Sequence, residues 1–251
     1  MDFLFDHVVH YVKDPYKAMA DFSELGFHTT PGGQHDFWGT YNTLCYFDNL
    51  SYIEWIGLES LQVAKNAKHP FSEHLLEDYE VGEGLSQIAF RTSDIEKIKQ
   101  ELNRKGLTTI GPLPGSRIRP DGTLLKWSML FIKHQLPMPF FIQWGQTDAE
   151  RKQELISNNI VKPQDKKLSE IWYAVTDCEK TASLWGEMFK GRVSDDDDNM
   201  GLLKKVELPF IDVYFCEDSD QINSRGQRPY KVGIHPSAGK EVIKYGAIYN
   251  I

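Results

Sequence analysis

The sequence contains an internal repeat, and this repeat constrains the fold more than any other feature. Its copies are Phe5-Asp6-His7-Val8-Val9 leading to Tyr52-Ile53-Glu54-Trp55, and Leu85-Ser86-Gln87-Ile88-Ala89 leading to Phe141-Ile142-Gln143-Trp144. Gly26 follows His7 at the same interval as Gly106 follows Gln87. This equal spacing indicates two copies of one structural unit.

Each copy predicts the same order of secondary structure. A helix should begin at Asp14-Pro15 in the first copy and at Ser93-x-x-Glu96 in the second, because proline at the first helical position and a capping box both mark helix starts. A glycine ends each helix, and strand-like segments follow. We therefore predict two βαβββ modules, at about residues 3–60 and 84–145, that cover each other's apolar faces.

A third, more divergent copy follows the first two. Glu170 takes the position of His7, but no acid ends its strand run, so residues 168–251 predict a partial third module with additional C-terminal strands. Residues 149–167 predict a helix and a linker, which separate this module from a domain at residues 1–148. An incomplete unit leaves a sheet edge to be covered, which favours either completion of the cleft or a homodimer.

Composition excludes several classes of function. A net charge of -8 argues against nucleic acids and anionic membranes as partners, because both require a basic surface. The sequence shows neither a signal peptide nor an apolar run of membrane-spanning length, so we expect a cytoplasmic protein. The three cysteines are widely spaced and predict neither a disulfide framework nor a zinc ribbon.

Polar residues interrupt strands that are otherwise apolar. His7 and Glu54 do so in the first unit, and Gln87 and Gln143 in the second. A buried polar group costs free energy unless it lines a cavity or is hydrogen-bonded. These four residues therefore predict either a polar cleft or a cluster that satisfies its own hydrogen bonds.

Several segments together carry a family resemblance. They are Phe5-Asp6-His7-Val8-Val9, Trp38-Gly39-Thr40-Tyr41-Asn42, Tyr52-Ile53-Glu54, Arg119-Pro120-Asp121-Gly122 with Trp127, Leu136-Pro137 and Pro139-Phe140-Phe141-Ile142. Over roughly residues 3–145 the chain resembles the vicinal oxygen chelate superfamily, and more narrowly its glyoxalase-like branch, which includes bleomycin-resistance proteins and dioxygenases. The resemblance implies an α+β fold in which tandem βαβββ modules form a curled mixed sheet around a cleft.

The same resemblance implies a divalent metal held by the first and last strands of both units. The corresponding ligands here are His7, Glu54, Gln87 and Gln143, and the ion would be Mg, Mn, Ni or Zn. Two amides replace a histidine and a glutamate that are common in the family's metal enzymes. An amide oxygen coordinates a hard cation but has no useful basicity, so Glu54 is the candidate catalytic base.

Two functions remain open at this stage. The first is a metal-dependent lyase, isomerase or hydrolase that acts on a small oxygen-rich metabolite. The second is a metal-free protein that binds or sequesters a small molecule, which the two second-unit glutamines favour. In both cases aromatic and polar side chains should line the cleft, unless the aromatic rings are ordinary core. The candidates are His35, Trp38, Asn42, Trp127 and Trp144.

Overall fold

The computed structural model describes residues 1–118, 122–195 and 203–251 of the chain. Arg119, Pro120 and Asp121, which contribute to the family resemblance, therefore lie outside the described residues. The described elements form an α+β fold with two sheets, as predicted. None of the described helices is both long and apolar enough to cross a membrane.

The N-terminal part contains two units with the predicted βαβββ order. The first consists of β1 (Leu4–Tyr11), α1 (Pro15–Glu24), β2 (Thr30–His35), β3 (Thr40–Tyr46) and β4 (Tyr52–Leu58). Two helices follow, α2 (Leu61–Asn66) and α3 (Pro70–Val81). The second consists of β5 (Gly84–Arg91), α4 (Ile95–Arg104), β6 (Thr108–Ile118), β7 (Leu124–Lys133) and β8 (Phe140–Trp144). The side chain that caps α4 is Asp94 rather than the expected Ser93.

Eight strands of the described chain close into a barrel in the order β1-β4-β3-β2-β6-β7-β8-β5. In each unit the first strand pairs in parallel with the last, β1 with β4 and β5 with β8. The units join where β1 runs antiparallel to β5 and where β2 meets β6. Side chains alternate along each strand, so Val9 and Ala89 point into the barrel while Val8 and Ile88 point outward.

The C-terminal part forms a second, open sheet. It begins with α5 (Asp148–Ser157), β9 (Lys167–Ala174), α6 (Cys178–Phe189), β10 (Arg192–Asp195), β11 (Leu203–Leu208) and β12 (Ile211–Cys216). It ends with α7 (Ser219–Arg225), β13 (Pro229–His235), β14 (Glu241–Lys244) and β15 (Ala247–Asn250). The strand order is β10-β11-β12-β9-β13-β15-β14.

The open sheet repeats the pairing pattern of the barrel. β9 pairs in parallel with β12 and antiparallel with β13, just as β1 pairs with β4 and β5. β13 pairs in parallel with β15, as β5 does with β8. Within the described residues, a third unit with all five βαβββ elements is thus followed by a reduced fourth unit. This fourth unit has no described counterpart of β6, so the sheet stays open.

Aromatic packing holds the second sheet against the barrel. Phe22 of α1 contacts both Trp55 of β4 and Tyr249 of β15, with ring centroids 4.6 and 4.8 Å apart. Phe90 of β5 contacts Trp185 of α6 in the same way, at 6.2 Å. Burial removes the apolar surface of these rings from water on both partners, which favours association of the two sheets.

Helix α3 packs its apolar side into the barrel, a feature that sequence analysis did not anticipate. His69 caps the helix by accepting a hydrogen bond from the Phe71 backbone, and Pro70 occupies the first turn. Phe71 and Leu75 join the apolar cluster of the barrel interior, where Phe71 contacts Phe140 with ring centroids 5.9 Å apart. The segment between the two units therefore contributes directly to the walls of the interior.

Candidate functional site

The barrel interior carries a small polar group among apolar residues. His7 of β1 and Glu54 of β4 face inward and are nearly buried, with 3% and 6% of their surfaces exposed. Nε2 of His7 lies 3.5 Å from Oε2 of Glu54. The imidazole also stacks on Tyr52, with ring centroids 4.5 Å apart. The pairing of β1 with β4 thus brings together the two first-unit residues that sequence analysis singled out.

A β-bulge brings Asp6 beside His7. The register of β1 against β5 shifts between Phe5 and His7, so Asp6 is the extra residue and its side chain is redirected. Oδ1 of Asp6 lies 2.6 Å from Nδ1 of His7. An ionised carboxylate only accepts hydrogen bonds, so Nδ1 is the donor and carries a proton. The other ring nitrogen, Nε2, is left to face Glu54.

Arg151 of α5 balances the charge of Asp6. Its Nη1 lies 3.3 Å from Oδ2 of Asp6, and Nε1 of Trp144 donates to the same oxygen at 3.0 Å. The guanidinium also lies over the ring of Trp144, 4.0 Å from a ring centroid. Burial alone would raise the pKa of Asp6, but Arg151, His7 and Arg91 outweigh burial and hold that pKa well below its ordinary value. Asp6 is therefore ionised at neutral pH.

A second chain of polar contacts holds Glu54. Nδ2 of Asn42 donates a short hydrogen bond to Oε1 of Glu54. Nη1 of Arg117 donates in turn to Oδ1 of Asn42 at 2.9 Å. The amide of Asn42 thus has one end on the carboxylate and the other on the guanidinium. Glu54 keeps Oε2 directed at His7.

These groups border a cavity of about 30 Å³, enough for one water molecule. All five residues predicted to contact a ligand line this cavity, together with the predicted His7 and Glu54: His35, Trp38, Asn42, Trp127 and Trp144. The remaining lining residues are Leu44, Tyr52, Phe71, Arg117, Met129, Phe140 and Ile142. The structure thus brings these seven predicted residues to one cavity, and whether they bind a ligand stays a prediction.

Gln143 is not brought to the polar group. Phe140 and Ile142 face the barrel interior, so the residue between Ile142 and Trp144 points outward. Oε1 of Gln143 accepts a hydrogen bond from the backbone N–H of Ile95 at 2.8 Å, at the first turn of α4. The sequence repeat aligned Gln143 with Glu54, but the strand pairing makes Phe140 the counterpart of Glu54, and an offset of three residues puts Gln143 on the other face.

Gln87 lies on the inward side of β5, where it pairs with Val9. It does not line the cavity. His7 pairs with Ala89 of β5, and Ala89 pairs in turn with Phe140 of β8. Val9 pairs with Glu54 as Ala89 pairs with Phe140, so the second unit presents the apolar Phe140 in the place of Glu54, while Gln87 keeps the inward position of His7.

Sequence reasoning missed the roles of Asp6 and Arg151. A charged residue in the apolar strand β1 was an available signal for Asp6. Arg151 had no comparable signal, because α5 is polar in sequence and was interpreted as part of the connection between domains. In the structure this side chain has only 1% of its surface exposed.

Aromatic rings separate the cavity from a larger pocket at the surface. Trp127 lies 5.8 Å from Trp38 and 5.7 Å from Trp144, measured between ring centroids, and all three line both spaces. The outer pocket has a volume of about 650 Å³. His35 lies at the same boundary, and burial lowers its pKa to about 3, so it is neutral at physiological pH. Trp38, Trp127 and Trp144 therefore form the boundary between the outer pocket and the cavity.

The polar chain through Asn42 depends on the absence of a side chain at position 32. A Cβ atom on Gly32 would overlap Oδ1 of Asn42 and lie 2.6 Å from Nη1 of Arg117. We expect Gly32→Ala to lower the free energy of unfolding by about 1–3 kcal/mol, as overpacking does, in a urea titration. In an Asn42→Ala background, which lacks the overlapping amide, Gly32→Ala should cost less than it does in the wild type. Equal stability of Gly32→Ala and the wild type would contradict this geometry.

The family to which the chain belongs follows from its sequence match to a known domain. The model of a family described as a glyoxalase-like domain matches residues 5–189, which is most of the chain and includes the whole barrel. The chain belongs to this glyoxalase-like family. It is therefore a member of the superfamily that the sequence analysis indicated, whereas no curated protein matches it.

Solved structures show the same fold. A hypothetical protein from Staphylococcus aureus matches with a TM-score of 0.83 and 24% identity, over 99% of this chain and 98% of that chain. A variant of 4-hydroxymandelate synthase from Streptomyces coelicolor matches with a TM-score of 0.59 and 12% identity, over 92% of this chain and 70% of that chain. At these identities the likeness concerns the fold alone.

The donors around the cavity do not fit the divalent metal that the superfamily implies. His7 and Glu54 are two suitable ligands, but Phe140 takes the place of a second carboxylate, and the inward Gln87 does not line the cavity. The described residues contain no cluster of three or more histidine, cysteine, aspartate or glutamate side chains with metal-binding geometry.

Proposed function

We propose that the chain is an enzyme that moves a proton to or from a carbon atom of a small molecule held in the barrel, without a metal ion. The observation that carries this proposal is the buried arrangement of Asp6, His7 and Glu54. Buried titratable side chains cost stability and are concentrated at functional sites. Here they meet at a cavity that is lined by aromatic rings and shielded from bulk water.

The chemistry follows from the protonation of His7. Ionised Asp6 accepts the Nδ1 proton at 2.6 Å, which fixes the orientation of the ring and the tautomer. Asp6 also stabilises the imidazolium that forms when Nε2 takes a proton. Glu54 presents Oε2 to the same space from the neighbouring strand. One of these groups can remove a proton from the ligand while the other returns one, as an isomerase or lyase requires.

The proposal can be tested without knowing the natural substrate. Small carbonyl compounds, including 2-oxo acids and hydroxy ketones, would be incubated with the full-length protein in deuterium oxide. Proton NMR then reports the loss of hydrogen signals at carbons next to the carbonyl group. We expect catalysed exchange with at least one class of compound. Binding without exchange throughout the panel, seen as changed chemical shifts, would contradict the proposal.

The second candidate function, sequestration of a small molecule, has its own supporting observation. Trp38, Trp127 and Trp144 line the cavity and the outer pocket together, and such walls suit the flat faces of an aromatic ligand. In that case the polar group would only orient the ligand. The exchange experiment separates the two functions, because a binding protein shifts ligand resonances but leaves the carbon-bound hydrogens in place.

The mismatch of the donor set leads to a prediction about metals. We expect elemental analysis of protein purified without chelators to find no stoichiometric Mg, Mn, Ni or Zn. These ions should also leave the melting temperature unchanged, whereas an ion at a hundred times its Kd would add about 2.7 kcal/mol of stability. A bound ion that disappears in the His7→Ala, Glu54→Ala double variant would overturn the metal-independent mechanism.

A further inference from the structure

The outer pocket has an aromatic inner wall. Trp127 of β7 pairs with Trp144 of β8, and the ring of Trp38 lies 5.8 Å from that of Trp127. Gly115 of β6 pairs with Trp127, and a Cβ atom on this glycine would overlap the indole nitrogen. The ring of Trp127 therefore lies against the backbone of β6. The volume of about 650 Å³ is within the range of sites for small organic ligands.

Phe37 stands at the rim of this pocket. It lies in the turn between β2 and β3, where the backbone N–H groups of Trp38 and Gly39 both donate to the carbonyl of His35 at 2.9 Å. The turn buries His35 and Trp38 but leaves Phe37 79% exposed, more than any other large apolar side chain of the described residues. Phe37 also lines the outer pocket. A ligand in the pocket would therefore cover apolar surface that water otherwise contacts.

The inner wall carries no charge. Lys126 is the one charged residue of the described lining, and it lies on β7 between Leu125 and Trp127, whose side chains point into the barrel. Lys126 therefore points outward, where it is exposed. The described lining includes no aspartate or glutamate. Because a buried ion costs free energy unless it is paired, this wall favours a neutral ligand.

His35 provides an unpaired hydrogen-bonding group at the boundary with the cavity. The residue is 5% exposed, and its Nδ1 lies 3.0 Å from Oγ1 of Thr40. The described residues offer no hydrogen-bond partner to its Nε2. Because burial lowers the pKa of this imidazole to about 3, the ring is neutral and suits an uncharged oxygen. His35 lines both spaces, so an oxygen bound there lies next to the cavity of His7 and Glu54.

We propose that the outer pocket binds an uncharged planar aromatic compound that carries a carbonyl or hydroxyl oxygen, with its ring among the aromatic side chains and its oxygen on His35. Aromatic rings suit such a wall because paired rings attract each other beyond the area that they bury. As the substrate class, this ligand rests on the function proposed above.

Calorimetric titration of the full-length protein at pH 7.5 with four compounds tests the proposal. They are acetophenone, its non-planar counterpart acetylcyclohexane, anionic benzoate and cationic phenyltrimethylammonium. We expect acetophenone to bind about tenfold more tightly than acetylcyclohexane, because only its ring is flat and aromatic. Acetophenone should also bind about tenfold more tightly than either ion, because an ion loses hydration without gaining a partner of opposite charge.

Two variants locate the ligand. Phe37→Ala should weaken acetophenone binding about three- to tenfold and leave the melting temperature unchanged, because the side chain is exposed. Ile243→Ala is the matched control, since Ile243 is 74% exposed on β14 and does not line the pocket. It should change neither quantity. His35→Phe should weaken acetophenone binding about 2- to 10-fold by removing a hydrogen bond, but should not weaken binding of ethylbenzene, which has no oxygen.

Several outcomes would overturn this assignment. Equal affinity for acetophenone and acetylcyclohexane in the wild type would do so even if no variant folded. Tighter binding of benzoate or phenyltrimethylammonium would assign the pocket to an ion, and unchanged binding in Phe37→Ala would place the ligand elsewhere.

Deuterium exchange keeps the two proposals separable. Binding of acetophenone without exchange of its methyl hydrogens in deuterium oxide would support the pocket and count against the enzyme. Exchange with other carbonyl compounds, but no binding of acetophenone, would do the reverse.

Discussion

Replacing Arg151 by methionine is expected to lower the free energy of unfolding by about 3–5 kcal/mol at neutral pH, the cost of breaking a buried ion pair from one side. Arg151 and Asp6 are almost wholly buried and lie 3.3 Å apart. Removal of the guanidinium leaves an uncompensated carboxylate in the barrel, together with a lost contact over Trp144. Urea denaturation followed by circular dichroism measures the effect.

The penalty in this variant should depend on pH. In the wild type the pKa of Asp6 is lowered from its ordinary value of 3.8, so its ionised form contributes stability above that pH, and this contribution is lost as the pH falls below it. Without Arg151 the pKa of Asp6 rises, because the largest attraction is gone. The variant can then protonate Asp6 in mild acid, and its difference from the wild type should be smaller at pH 4 than at pH 7.

Lys152→Met is the control for Arg151→Met. Lys152 is the next residue of the same helix, half-exposed and paired with Asp48 at 3.0 Å. We expect a change below about 1 kcal/mol, because exposed ion pairs contribute little. If both variants lost similar amounts of unfolding free energy, the loss would reflect methionine in α5 and not the buried ion pair. A loss below about 1 kcal/mol in Arg151→Met would contradict the buried pair.

Replacing Glu54 by glutamine should have the largest effect on activity. We expect the rate of deuterium exchange to fall by about 10²- to 10⁴-fold, the usual contribution of a general acid or base. Glutamine keeps the shape of the side chain, and its oxygen can still accept the hydrogen bond from Asn42. The melting temperature should therefore change little while the exchange rate falls. NMR in deuterium oxide measures the rate, and thermal unfolding measures the stability.

His7 and Asp6 provide the companion variants. His7→Gln should reduce exchange to a similar extent, whereas His28→Gln, a control outside the cavity, should not affect it. Asp6 acts through His7 as a positioning residue, so Asp6→Asn should displace the pH profile of exchange as well as lower its rate. Full activity of either His7→Gln or Glu54→Gln would remove the basis for proton transfer at this pair.

Much of the fold could be predicted from local sequence. Equal spacing of strand, helix and glycine in two copies defines the βαβββ unit, because the period of apolar residues and the helix-end signals are local properties. The polar residues His7 and Glu54 in otherwise apolar strands predicted a polar cleft or cluster, and both line the cavity together with the tryptophans. The prediction of strands and helices depended on the spacing of apolar residues, which can be read within a single strand or helix.

The weaker predictions all depended on contacts between distant segments. The sequence repeat aligned Gln143 with Glu54, but Ala89 pairs with Phe140 as Val9 pairs with Glu54, which sets the strand three residues out of that alignment. The local apolar pattern does not exclude a shift by an odd number of residues here, because residues on both faces of β8 are buried. Such a register is decided by the neighbouring strands.

The sequence by itself therefore determined the repeat and the fold class, because these follow from local periodicity. It also indicated the aromatic residues around His7 and Glu54, but not the charged residues that hold this pair. Only the tertiary structure decided which charges meet. Arg151 reaches Asp6 across 145 positions of the chain, and Arg117 meets Asn42 across 75. An ion pair of this kind has no local period to reveal it, since its free energy depends on burial and distance, which exist only after the chain has folded.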